Sequence, residues 1–158
     1  MVPETHNRLV IKIMTIAIGT DHRGFKMKEE LKNFLFSENI QYNDFGTYSE
    51  ESVDYPDFAR PVAESIQKSE SDFGVLICGS GMGICIPANK YKGIRAVNIL
   101  TEKMAEMGRR HNNANVICFG ADFVDIDTAK VCLKKFLNTP FDTDERHIRR
   151  VNKVNSIL

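Results

Sequence analysis

Short apolar runs rich in β-branched residues alternate along the chain with longer stretches whose apolar positions recur every three or four residues. The runs predict five strands, over residues 15–18, 40–45, 73–77, 94–99 and 116–119. Between them Met27, Leu31, Phe34 and Leu35 stripe one helix, and Phe58, Val62, Ala63 and Ile66 a second. Met104, Met107 and Gly108 share one face of another, and Ala129, Leu133, Phe136 and Leu137 face inward on the next. A last helix, over 145–156, sets Ile148, Val151 and Val154 on one side and Arg146, Arg149, Arg150 and Lys153 elsewhere. The apolar segment 84–91 is also expected to be helical, with Pro87 no deeper than about its first turn. Thr20 or Asp21, Thr101, and Asp125 or Asp127 are candidate N-caps.

Strand and helix alternate five times through short connections. The expected fold class is therefore α/β, a three-layer αβα sandwich around a Rossmann-like, five-stranded, mainly parallel sheet. With 158 residues, 42% of them hydrophobic, the chain suffices for one globular domain with its own core. Residues 1–8 are polar, and Met14 inside the first apolar run would make a natural protein start. Residues 1–13 are accordingly expected as a loose N-terminal extension to a single domain spanning 14–158.

Charge narrows the field. Lys plus Arg and Asp plus Glu both number 21, so no polyanion-binding surface and no nucleic-acid partner are expected. Cys78, Cys85, Cys118 and Cys132 form no C-x-x-C pair and lie in apolar segments. They read as reduced thiols of a cytoplasmic protein, not as a disulfide framework or a metal site. No apolar run reaches the length of a membrane span.

The chemistry concentrates where residues 73–90 read FGVLICGSGMGICIPANK. A buried strand empties into Gly79-Ser80-Gly81-Met82-Gly83 and then a helix start, leaving backbone N–H groups unpaired and outward. That is a cradle for a phosphate or an oxyanion. The spacing is G-x-G-x-G, unlike the dinucleotide or P-loop fingerprints. Cys78 stands at the carboxyl end of the strand, where helix dipoles favour a thiolate usable as base or nucleophile. A tight strand–helix turn with a buried cysteine as filler would read the same way. In open α/β sheets ligands bind outside the carboxyl ends of the strands, which adds Asp21, His22, Asp54 and Tyr55 to the candidates. His6 and His147 read as surface or hydrogen-bonded residues, and Cys85, Cys118 and Cys132 as packed small hydrophobes.

The motifs GTDHRG, DYPDFA, LICGSGMGI followed by PANK, GIRA, RRHNNAN and ERHIRRV occur in order over residues 14–151. Together they resemble the ribose-5-phosphate isomerase B family and its relatives, the galactose- and allose-6-phosphate isomerases. The resemblance implies an aldose–ketose isomerase that works through a cis-enediol(ate) with no metal and no cofactor. It implies Cys78 as the base, with Ser80 and the N–H groups of Gly79, Gly81, Met82 and Gly83 stabilising the enediolate. It implies His111 as the acid that opens the furanose ring, assisted by Asp21, and Asn112 and Tyr55 as substrate-binding residues. His22, Arg146 and Arg150 match a phosphate-binding set, the two arginines one helical turn apart. Such relatives are homo-oligomers, dimers or tetramers, whose sites are completed between subunits.

Two departures stand out. Where many relatives place an arginine after the glycine ending the fifth strand, this chain has Gly120-Ala121-Asp122, an acid able to repel a phosphate. Where they often carry two glycines before the late Arg-His, it has Asp144-Glu145. The reading that follows is interconversion of ribose 5-phosphate and ribulose 5-phosphate in the pentose phosphate pathway. A six-carbon 6-phosphate isomerase and a non-catalytic phosphosugar-binding module are the alternatives.

Overall fold

The computed structural model describes residues 12–158, so all but the last two positions of the expected extension lie outside the described residues. In chain order the elements are β1 (Thr15–Thr20), α1 (Phe25–Ser37), β2 (Gln41–Asp44), α2 (Pro56–Gln67), β3 (Phe73–Cys78) and α3 (Met82–Ala88). They continue with β4 (Ala96–Asn98), α4 (Glu102–Asn112), β5 (Val116–Gly120), α5 (Ile126–Asn138) and α6 (Glu145–Asn155). The strands form one sheet in the order β2-β1-β3-β5-β4, and every pairing is parallel.

The period-two geometry of the strands divides the core into two layers. Ile16, Ile18, Val75, Ile77, Ile117 and Phe119 point to the face covered by α1, α4 and α5. Ala17, Leu76, Cys78, Val116 and Cys118 point to the other face, under α2 and α3. Both faces of the central strands are sealed, which explains why β3 and β5 read as unbroken apolar runs.

Helix starts follow the expected caps. Thr101 accepts from the Met104 N–H at 3.2 Å and Asp125 from the Thr128 N–H at 2.7 Å, each worth about 1 kcal/mol. Asp21 accepts from the Arg23 N–H at 2.9 Å, which caps a short 3-10 turn, His22–Gly24, ahead of α1.

Several boundaries and faces differ from the pattern. β4 shortens to three residues because the Arg95 N–H donates to the Asn115 side chain at 2.8 Å instead of to a strand. α3 begins at Met82, two residues before the expected start, because Gly81 at φ +75° turns the chain straight into the helix. Pro87 therefore lies in the last turn and α3 stops at Ala88. On α4 the buried residues are Ala105, Gly108 and Arg109, leaving Met104 and Met107 at 40% and 37% exposure. Small side chains let that helix approach β4, where a Cβ on Gly108 would stand 3.3 Å from Val97. α6 buries His147 and Val151, and Ile148 and Val154 stay exposed.

Candidate active site

The chain after β3 is clasped by the chain after β5. The Ala121 N–H donates to the Cys78 carbonyl at 2.9 Å and the Asp122 N–H to the Gly79 carbonyl at 3.0 Å. These bonds occupy the carbonyls and leave the N–H groups of Gly79 and Ser80 without a partner among the described residues. The Gly81 N–H donates to Cys78 Sγ at 3.1 Å, a bond that a thiolate accepts more strongly than a thiol. Cys78 itself is 3% exposed. Ser80 Oγ accepts from the Met82 N–H at 3.2 Å, which leaves its own proton free to donate outward. Gly81 has no alternative, because a Cβ there would stand 2.3 Å from Asn98 Oδ1 and 2.7 Å from the Gly120 nitrogen.

Three residues expected at the site close around this cradle. Asp21 is buried and follows β1, whose Gly19 and Thr20 lie opposite Leu76 and Ile77 of β3. His22 Nδ1 accepts from the Val53 N–H at 3.2 Å, which leaves Nε2 as the ring's donor. That bond ties the loop after β1 to the loop after β2. Tyr55, at the end of the second loop, lays its ring against α3: a Cβ on Gly83 would stand 3.2 Å from Tyr55 Cε1.

The root of the second loop is fixed from below. Lys28, fully buried, donates to both oxygens of Asp44 at 2.7 and 2.6 Å, and Asp44 accepts from the Gly46 N–H at 2.9 Å. Burial alone raises the Asp44 carboxyl, but the hydrogen bonds from Lys28, Lys32 and Gly46 outweigh it and hold it below the ordinary carboxylate range.

His111, Asn112, Arg146 and Arg150 gather elsewhere. His111 and Asn112 end α4, and Arg109 anchors that end. Its buried guanidinium donates to the Ala114 carbonyl at 2.6 Å and lies 4.8 Å above the Phe73 ring. His147, expected as a surface or hydrogen-bonded residue, is 6% exposed and stacks on His111 with ring centroids 4.5 Å apart and planes 8° from parallel. Its Nε2 is buried without a partner among the described residues. His111, Asn112, His147, Arg150 and Arg95 line a cavity of about 270 Å³. Arg146 stands one turn before Arg150 on α6 and pairs with Asp144 at 3.5 Å.

The two groups occupy opposite ends of the sheet. Val116 lies opposite Gly74 and Gly120 opposite Cys78, so β5 alone spans about 13–17 Å between them. His111 precedes Val116 by five residues and lies beyond the amino end, while the cradle lies beyond the carboxyl end. One chain thus places the expected site residues in two separate groups.

Four contributors escaped the sequence reading. Asn98 donates to the Ser80 carbonyl at 3.3 Å, and Arg23 donates to Asp122 at 2.5 Å across the cradle. Asp122 is thus an ion-paired acid, not the bare one its sequence position suggested. Arg95 lines the second cavity, and His147 braces His111. The first pair joins residues 99 positions apart, which no local pattern announces. His147 carried one signal, its place between Arg146 and Arg150 on a helix turned inward at Val151.

Residues 16–154 match the model of the ribose/galactose isomerase family. Ribose-5-phosphate isomerase B of Escherichia coli is 40% identical over 142 residues, covering 90% of this chain and 95% of its relative. The crystal structure of a ribose 5-phosphate isomerase from Thermotoga maritima superposes with a TM-score of 0.89 at 46% identity, over 91% of this chain and 99% of that one. The type B ribose 5-phosphate isomerase of Trypanosoma brucei gives 0.90 at 37% identity, over 93% and 100%. With the strand order, the glycine cradle and these matches in hand, the chain belongs to the ribose/galactose isomerase family.

Proposed function

We propose that this protein interconverts ribose 5-phosphate and ribulose 5-phosphate by a metal-free cis-enediolate route, as a cytoplasmic enzyme of the pentose phosphate pathway. The observation that carries the reading is Cys78 Sγ, held by the Gly81 N–H at 3.1 Å beside unpaired N–H groups. The five-carbon substrate is supported by the relatives, which are ribose-5-phosphate isomerases B.

In this mechanism Cys78, as thiolate, removes the proton from C2 of the opened aldose. The electron pair moves into the C1–C2 bond and leaves charge on O1, where the Gly79 and Ser80 N–H groups and the Ser80 hydroxyl receive it. The Cys78 thiol then returns the proton to C1 while the O2 proton passes to O1, giving the ketose. Asp21 steadies the sugar oxygens, Tyr55 covers the chain, and His22 Nε2 donates to the phosphate.

Ring opening needs an acid at the ring oxygen, and His111 serves from a second copy, with Asn112, Arg146 and Arg150 of that copy closing on the substrate. Ile86 of α3 with Val154, Ile157 and Leu158 lines an apolar groove of about 610 Å³ beside the edge strand β4, and the second copy seats there. The protein acts as a homo-oligomer in this account, with a dimer as the smallest working unit. Turnover of ribose 5-phosphate in EDTA tests the reading. Wild type is expected to keep its rate, and Cys78→Ala to lose about 10²–10⁴ in kcat. A mutant as fast as wild type would make the thiol structural.

A further inference from the structure

The cradle carries a cation that the mechanism above does not use. Arg23 follows His22 in the 3-10 turn, and its Nη2 reaches over to Asp122 Oδ2 at 2.5 Å. The pair lies directly on the residue after Cys78: a Cβ on Gly79 would stand 2.6 Å from Arg23 Nε and 3.1 Å from Asp122 Oδ2. Asp122 is fixed in turn, because its own N–H donates to the Gly79 carbonyl at 3.0 Å.

We propose that Arg23 is a further substrate-binding residue, aligned by Asp122 so that its free N–H edge holds the phosphate beside His22. The inference rests on the isomerase reading above and names one more of its contacts. A guanidinium presents a planar fork of donors. One Nη is taken by Asp122, and Nε and Nη1 have no partner among the described residues. A carboxylate on one edge of the fork fixes the plane and leaves the rest free for an oxyanion. Stability gives the pair little reason to exist. Arg23 and Asp122 are 56% and 49% exposed, and ion pairs so open to water contribute next to nothing to folding. Its position matters more, since it bridges the loops after β1 and β5 across the floor of the cradle.

Steady-state kinetics with ribose 5-phosphate and calorimetry with inorganic phosphate separate the possibilities. Arg23→Ala is expected to raise KM about tenfold or more while kcat holds within about twofold. Arg23→Lys recovers part of the loss, because an ammonium keeps the charge without the fork. Asp122→Asn raises KM less than Arg23→Ala and adds nothing when the two are combined. Phosphate affinity falls in parallel in Arg23→Ala. Unchanged KM and phosphate affinity in a folded Arg23→Ala protein would overturn the proposal and leave a surface ion pair. If wild type binds phosphate without turning over the sugar, and Arg23→Ala still loses that binding, the contact stands and the isomerase reading fails.

Discussion

Cys78 closes β3 at the carboxyl end of the sheet, and His111 ends α4 beyond its amino end. No rotamer change brings two such positions into one pocket, because an intact strand separates them. In the proposed mechanism the base and the ring-opening acid therefore meet only between copies. Each end carries its own supports. The Gly81 N–H and Asn98 hold the cradle, while Arg109 and the stacked His147 hold the histidine. Asp142, held below the ordinary carboxylate range first by the Asp144 N–H and then by His147, Arg110 and His111, adds an anion to the second cluster.

Lys28 is the fully buried cation beneath the loop that carries Val53 and Tyr55. Removing it leaves Asp44 only Lys32 and the Gly46 N–H and empties the space of the buried stem, so Lys28→Ala is expected to cost about 2–4 kcal/mol in urea unfolding. Asp44 lies below its unfolded value, so its contribution is complete above that value, about pH 4, and disappears as pH falls through the lower folded one. Urea midpoints from pH 7 downward should hold until about pH 4 and then drop, and the drop should be smaller in Asp44→Asn. Equal acid sensitivity in both proteins would remove Asp44 from the account.

Asn98 acts on the cradle from below. Its Nδ2 donates to the Ser80 carbonyl, while its Oδ1 is buried without a partner among the described residues. Asn98→Ala removes one long bond and one unsatisfied acceptor, so Tm should move little. The Ser80–Gly81 turn loses its support, and kcat is expected to fall about tenfold or more with KM nearly constant. A Tm loss with kcat intact would make Asn98 structural only.

The cradle was legible because a buried strand emptying into G-x-G-x-G leaves few other conformations. The caps at Thr101 and Asp125 were legible for a similar reason, since the side-chain chemistry is local. The start of α3 was not, because Gly81, Met82 and Gly83 look alike to a periodicity argument and only the positive φ of Gly81 fixes the turn. Met104 and Met107 were legible as one face of a helix, but small Ala105 and Gly108 won the packing. Arg23 with Asp122 and His147 with His111 are tertiary pairings, set by the strand order and invisible before it. The motifs of the family named the expected site residues. The topology shows that they fall into two groups.

Mixing two inactive variants tests the division most directly. Cys78→Ala and His111→Ala proteins are each expected to lose most turnover. Once dissociated and reassociated together, mixed dimers hold one pocket with both residues intact and one with neither. With random pairing, turnover of ribose 5-phosphate should recover to about a quarter of the wild-type rate. A mixture no more active than its two components, with exchange of copies verified by mass spectrometry, would show that Cys78 and His111 do not share a pocket across copies and contradict the account.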